Sequence, residues 1–115
     1  MVPLLIATIL IATSGEVGAP FSPNVDPPPQ VIIGGIGSKS CQHWLSTPAL
    51  KSEGETWALG FWSALNYVAA VTKEQNQLTI DPDEMLNEIA KTCSRRPSET
   101  LANSVWITFL TLNKR

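Results

Sequence analysis

The chain carries two cysteines and a single histidine, so any thiol or imidazole chemistry must be built from Cys41, Cys93 and His43. Cys41 and His43 are two positions apart, which suits a pair of metal ligands. A zinc site, however, needs three or four converging donors, and the chain has no second histidine and only one distant cysteine to add. A Ser-His-Asp or Cys-His centre would also have to use His43, and the strained Gly-x-Ser-x-Gly turn that presents a serine nucleophile does not occur. His43 therefore reads as a surface histidine.

The acidic cluster Asp81, Asp83 and Glu84 invites an acid-pair reading, but glycosidase-like chemistry needs two carboxyls facing each other across a cleft. Their order, Asp81-Pro82-Asp83-Glu84, is that of a helix start: an Asp cap, Pro at the first helical position and acids in the first turn. Gly34-Gly35-Ile36-Gly37 lacks the Lys-Ser/Thr ending of a phosphate loop. The chain is thus expected to be non-enzymatic, with no catalytic residue, metal or cofactor.

The elements that must hold these residues begin with an apolar run. Met1 to Ala12 is almost wholly hydrophobic, and Val17 and Ala19 are small enough for signal-peptidase recognition. Residues 1–19 are therefore expected to be a signal peptide, cleaved after Ala19, although no Lys or Arg precedes the run. A buried N-terminal helix or strand is the alternative. The run is short for a membrane span, so no stable insertion is expected once the leader is removed. Export would place the cysteine pair in an oxidising compartment, where it is normally a disulfide; two buried thiols in a cytosolic protein are the other reading.

Residues 20–37 read as an extended arm, with Pro20, Pro23, Pro27, Pro28 and Pro29 followed by a glycine-broken apolar strap or short strand. The compact domain is expected over 38–115. Ser40 caps a short helix through Leu45 that ends before Pro48. Ser52 and Glu55 form a capping box ahead of a helix over Thr56–Thr72, with Trp57, Phe61, Leu65 and Val68 on one stripe. Asp81 opens a helix with Met85, Leu86, Ile89, Ala90 and Cys93 on one face. Pro97 introduces a last helix, with Leu101, Val105, Phe109 and Leu112 inward and Ser104, Thr108 and Thr111 on the other side. A strand over Val105–Leu112 is the runner-up there. The fold class is all-α: a small bundle of about four helices stapled by one disulfide, with an extended Pro-rich N-terminal arm.

The net charge of −2 comes without any basic run, so nucleic acid is not expected as a partner. Four tryptophans, Trp44, Trp57, Trp62 and Trp106, exceed what so small a core easily hides. Trp62 lies off the Trp57–Phe61–Leu65 stripe and is expected nearest the surface, where exposed indoles favour protein binding.

Cys41-Gln42-His43-Trp44, the helix with Trp57-Ala58-Leu59-Gly60-Phe61-Trp62-Ser63-Ala64-Leu65-Asn66, and Cys93-Ser94-Arg95-Arg96-Pro97 together resemble the HdeA/HdeB-like superfamily of small periplasmic helical proteins. The resemblance runs from Ser38 to Leu112 and is closest to an uncharacterised branch with a Trp-x-Leu-Gly-Phe/Tyr-x-Ser-x-x-Asn helix and a Cys-x-x-x-Pro step. It implies periplasmic export, a Cys41–Cys93 bridge joining two helices and an all-α bundle. Its chaperone members keep a hydrophobic homodimer face closed near neutral pH and open it to clients in acid; immunity proteins of similar fold bind a toxin instead. The Pro-rich arm and the sparser charges depart from the acid chaperones. The expected function is a non-enzymatic periplasmic binding protein, an acid- or envelope-stress chaperone with Trp57, Phe61, Trp62 and Leu65 as client surface. The alternative is a binder of one specific partner, such as a toxin-immunity or secretion accessory protein.

Overall fold

The computed structural model describes residues 30–115. The expected leader (1–19) and the Pro-rich part of the arm (20–29) lie outside the described residues. Ile32–Arg115 form one unit. Its elements are a 3-10 turn (Gly35–Ser38) and four helices: α1 (Cys41–Trp44), α2 (Pro48–Thr72), α3 (Pro82–Arg95) and α4 (Leu101–Asn113). Among the described residues there is no strand, only an isolated antiparallel bridge between Ser40 and Thr100. The unit is all-α, and the strand alternative for Val105–Leu112 gives way to helix.

Each helix is started by a side-chain cap that takes up an otherwise unpaired backbone N–H. Ser40 accepts from His43 N at 3.1 Å and opens α1. Thr47 accepts from Leu50 N at 3.1 Å and opens α2, with Pro48 at its first position. Asp81 accepts from Asp83 N and Glu84 N at the head of α3. Thr100 accepts from Asn103 N at the head of α4.

The second cap corrects the sequence reading. Pro48 was expected as a terminator and Ser52 as the cap, but Thr47-Pro48 is itself a start signal and lies upstream. Ser52 and Glu55 consequently fall inside α2, and Glu55 takes an ion pair from Lys51 at 2.8 Å instead of closing a capping box.

α2 ends where Lys73 turns left-handed at φ 61°, its N–H returning to Ala69 O. A side chain in that region strains against its own backbone, and glycine does not. Lys73→Gly is expected to stabilise the fold by about 0.5–1 kcal/mol, read as a higher urea midpoint at unchanged slope.

The core forms where α4 packs against both α2 and α3, with α1 and the turn closing one end. From α3, Met85, Ile89 and Cys93 face inward, as the periodicity indicates. From α4 come Leu101, Val105 and Phe109, with Leu112 half-buried. Ser104 and Thr108, expected on the outer side, are buried. They can be because they are satisfied: Thr108 donates to Ser104 O at 2.7 Å and shares a 2.8 Å bond with Thr92, while Ser104 Oγ lies 3.1 Å from Cys41 Sγ. α4 is enclosed by two partners, so its buried arc is wider than one hydrophobic stripe.

The Cys41–Cys93 disulfide joins α1 to α3 across a sequence separation of 52, with Cα atoms 5.3 Å apart. Backbone bonds tie the same corner. Cys41 N donates to Glu99 O at 2.7 Å, Gln42 N to Pro97 O at 3.0 Å and Leu101 N to Lys39 O at 2.9 Å. The apolar strap before Ser38, expected to lie on the surface, contributes Ile36 and Gly37 to the buried set. The folded unit therefore takes in residues ahead of the expected boundary at Ser38.

Candidate protein-binding face

α2 decides what this protein can present to a partner. From Thr56 to Thr72 it contains no charged residue, a span of about 25 Å at 1.5 Å per residue. Such a helix has no polar face to fix its rotation, so packing sets it. The buried side is Gly54, Ala58, Trp62, Leu65 and Ala69, in which small residues bring the neighbouring elements close.

Trp62 lies at the centre of that side, only 4% exposed, its ring edge-on to Phe109 at 5.1 Å. Its indole N–H donates to Leu78 O at 3.2 Å, and Asn66 clamps the same Leu78 through both its carbonyl and its N–H. The expectation of Trp62 as the surface tryptophan is thus corrected. An indole whose N–H finds a backbone carbonyl can be buried without loss, and a hydrophobic count along α2 does not register that bond. Leu65 is likewise in the core.

Trp57 and Phe61 are half-buried and packed together, ring centroids 5.0 Å apart. Trp57 lies under the strap: its N–H donates to Gly34 O at 3.0 Å, and its ring occupies the space that a side chain at Gly37 would need. Gly35 adopts φ 69° to carry the strap over the indole. Of the four expected contact residues, Trp62 and Leu65 are therefore interior and Trp57 and Phe61 lie beneath or beside cover. The structure does not gather them into an open face.

The open face of α2 is a different one. Two rows at helical spacing, Leu59–Ser63–Tyr67–Val71 and Gly60–Ala64–Val68–Thr72, are exposed along their length. Tyr67 is 73% exposed and Val71 68%. The two hydroxyls flanking them turn back onto the helix, Ser63 to Leu59 O at 3.0 Å and Thr72 to Val68 O at 2.9 Å, so their donors are already spent. Gly60 has open space where a side chain would stand, which lets another backbone come close. The exposed tryptophan is Trp106, at 39%, stacked on Phe109.

The chemistry open to this arrangement is apolar contact. Cys41 and Cys93 are bonded and buried, leaving no free thiol among the described residues. His43 is exposed on α1, and no group of three or more His, Cys, Asp or Glu converges among the described residues. No helix among them is long and apolar enough to cross a membrane. The uncharged run from Thr56 to Thr72 was visible in the sequence, but which of its sides faced outward was not. Comparison with family models, curated proteins and solved structures finds no match for this chain.

Proposed function

We propose that this is a non-enzymatic binding protein of the periplasm or a similar oxidising compartment, which holds apolar segments of client proteins on the outward face of α2. The carrying observation is the pair of exposed uncharged rows from Leu59 to Thr72. Contiguous apolar surface on a small protein marks an interaction site, and Tyr67 is the kind of large, amphipathic anchor on which binding energy concentrates. The bonded Cys41–Cys93 pair supports an oxidising compartment. The periplasmic part of this reading rests on the sequence resemblance to the HdeA/HdeB-like superfamily, which implies a stapled all-α unit.

Acid would enlarge the surface. Where carboxylates in general are neutral, the eight Lys and Arg of the chain are left uncompensated, and their mutual repulsion works against compact packing. Loosened packing around α2 would then add Trp57, Phe61, Trp62 and Leu65 to the client face, with the disulfide limiting how far the chain opens.

The test is aggregation of an unfolding client at neutral pH and in acid, with wild type, Tyr67→Glu and Val71→Glu. Both positions are exposed, so the variants should fold as wild type does. Protection by wild type and its loss in both variants at neutral pH are expected. Equal protection by the variants, or none by wild type at either pH, sinks the reading. The well-placed Tyr67 also suits one specific partner, such as a toxin or a secretion component. A pull-down returning a single stoichiometric protein, without client protection, favours that second reading.

A further inference from the structure

A pocket of about 390 Å³ opens between the strap, α1 and α2, away from the rows just described, lined by Gly35, Ile36, Ser38, Lys39, His43 and Glu53. Its volume lies within the range of small-molecule sites, roughly 300–1,000 Å³. Three separate elements each bring it one ionisable side chain: Lys39 after the turn, His43 on α1 and Glu53 on α2. None of the three has an ion-pair partner among the described residues, whereas Glu55 and Glu88 are both engaged by cations. Ser38 Oγ donates to Gly35 O at 2.9 Å, which uses its proton and leaves its oxygen able to accept.

The mixture of signs narrows the ligand. A simple anion entering beside Lys39 also meets the Glu53 carboxylate, and a simple cation beside Glu53 also meets the Lys39 ammonium. A molecule carrying both charges offers a partner to each. Imidazole offers an N–H donor in either charge state, so His43 adds a second donor for the carboxylate end. Ile36 of the strap itself, buried apart from this edge, supplies an apolar wall. We infer that this pocket is a binding site for a small zwitterion of the free amino acid class, its carboxylate held by Lys39 and His43 and its ammonium by Glu53. Lys39, His43 and Glu53 are exposed, so solvent screens the pairing and binding is expected to be weak. Occupancy bridges the strap, α1 and α2.

The experiment is a titration of the ¹⁵N-labelled, oxidised protein with glycine, followed through the backbone amide signals of Lys39, His43 and Glu53. N-acetylglycine, which lacks the ammonium, and glycinamide, which lacks the carboxylate, are the matched controls. Saturable shifts with glycine alone are expected. Glu53→Gln and His43→Ala, both surface changes that leave the thermal melt in place, should each weaken binding by up to about fivefold. Shifts of equal size with all three compounds, no saturable shift with glycine, or unchanged binding in Glu53→Gln would overturn the assignment. Client protection by α2 has no bearing on any of these outcomes.

Discussion

Replacing both Cys41 and Cys93 by Ala is expected to lower stability by about 4 kcal/mol, the chain-entropy cost of releasing a loop of 52 residues. A unit of this size holds only about 4–13 kcal/mol in total, so the loss removes from about a third to nearly all of its stability. The effect is measured as a drop in urea midpoint. Burial adds a kinetic expectation. Both sulfurs are sealed, Cys41 at 0% and Cys93 at 1% exposure, behind Ser104 on one side and the α3–α4 packing on the other. A thiol reductant should therefore reach the bond only through opening of the whole unit, and the reduction rate should rise with urea as steeply as global unfolding does. A rate that ignores urea would mean that α1 and the Pro97–Thr100 segment open alone, and that the staple is a local hinge.

The parts of the fold legible in the sequence are those with one sharp local signal. Asp81-Pro82 marks the head of α3, and the strong amphipathicity from Met85 to Cys93 orients it without help from the rest of the chain. Ser40 likewise announces α1. α2 was legible as a helix but not as a surface. Its sides differ little in hydropathy, so its rotation is decided by features outside any periodic count: Gly54 and Ala58 admitting close neighbours, and Trp62 and Asn66 both gripping Leu78 O. That is why the expected stripe of Trp57, Phe61, Leu65 and Val68 is turned relative to the buried one, and why Val68 emerges outside while Trp62 goes in. α4 misled in the opposite sense. Ser104 and Thr108 look like solvent positions, yet the Ser104 hydroxyl bonds Cys41 Sγ and the Thr108 hydroxyl bonds its own helix and Thr92, so both cost little to bury. The Thr47-Pro48 start could have been found, since a capping residue followed by proline is as good a signal as the Ser-x-x-Glu box preferred to it.

The second large effect is expected at the contact between α1 and α2. Trp44 is fully buried, and its indole N–H donates to Lys51 O at 2.9 Å. The ring lies against Gly54, so that a methyl group there would overlap the indole at Cδ1 and Nε1. Trp44→Ala should cost about 3–5 kcal/mol, from the cavity it leaves. Gly54→Ala alone offers the better helix former, worth about 1 kcal/mol in its favour at an open helical site. Here it should nonetheless destabilise by about 1–3 kcal/mol, because the fully buried ring cannot move away without breaking its bond to Lys51. The two changes made together settle the cause. With the indole gone, the new methyl enters the vacated space and the helix-propensity gain is realised, so Gly54→Ala should become stabilising in the Trp44→Ala background. That reversal of sign is a coupling of more than about 2 kcal/mol, well above the scatter of independent sites. If Gly54→Ala costs the same in both backgrounds, glycine is required there for a backbone reason and not for the tryptophan. Circular dichroism melts in urea on four proteins suffice to decide.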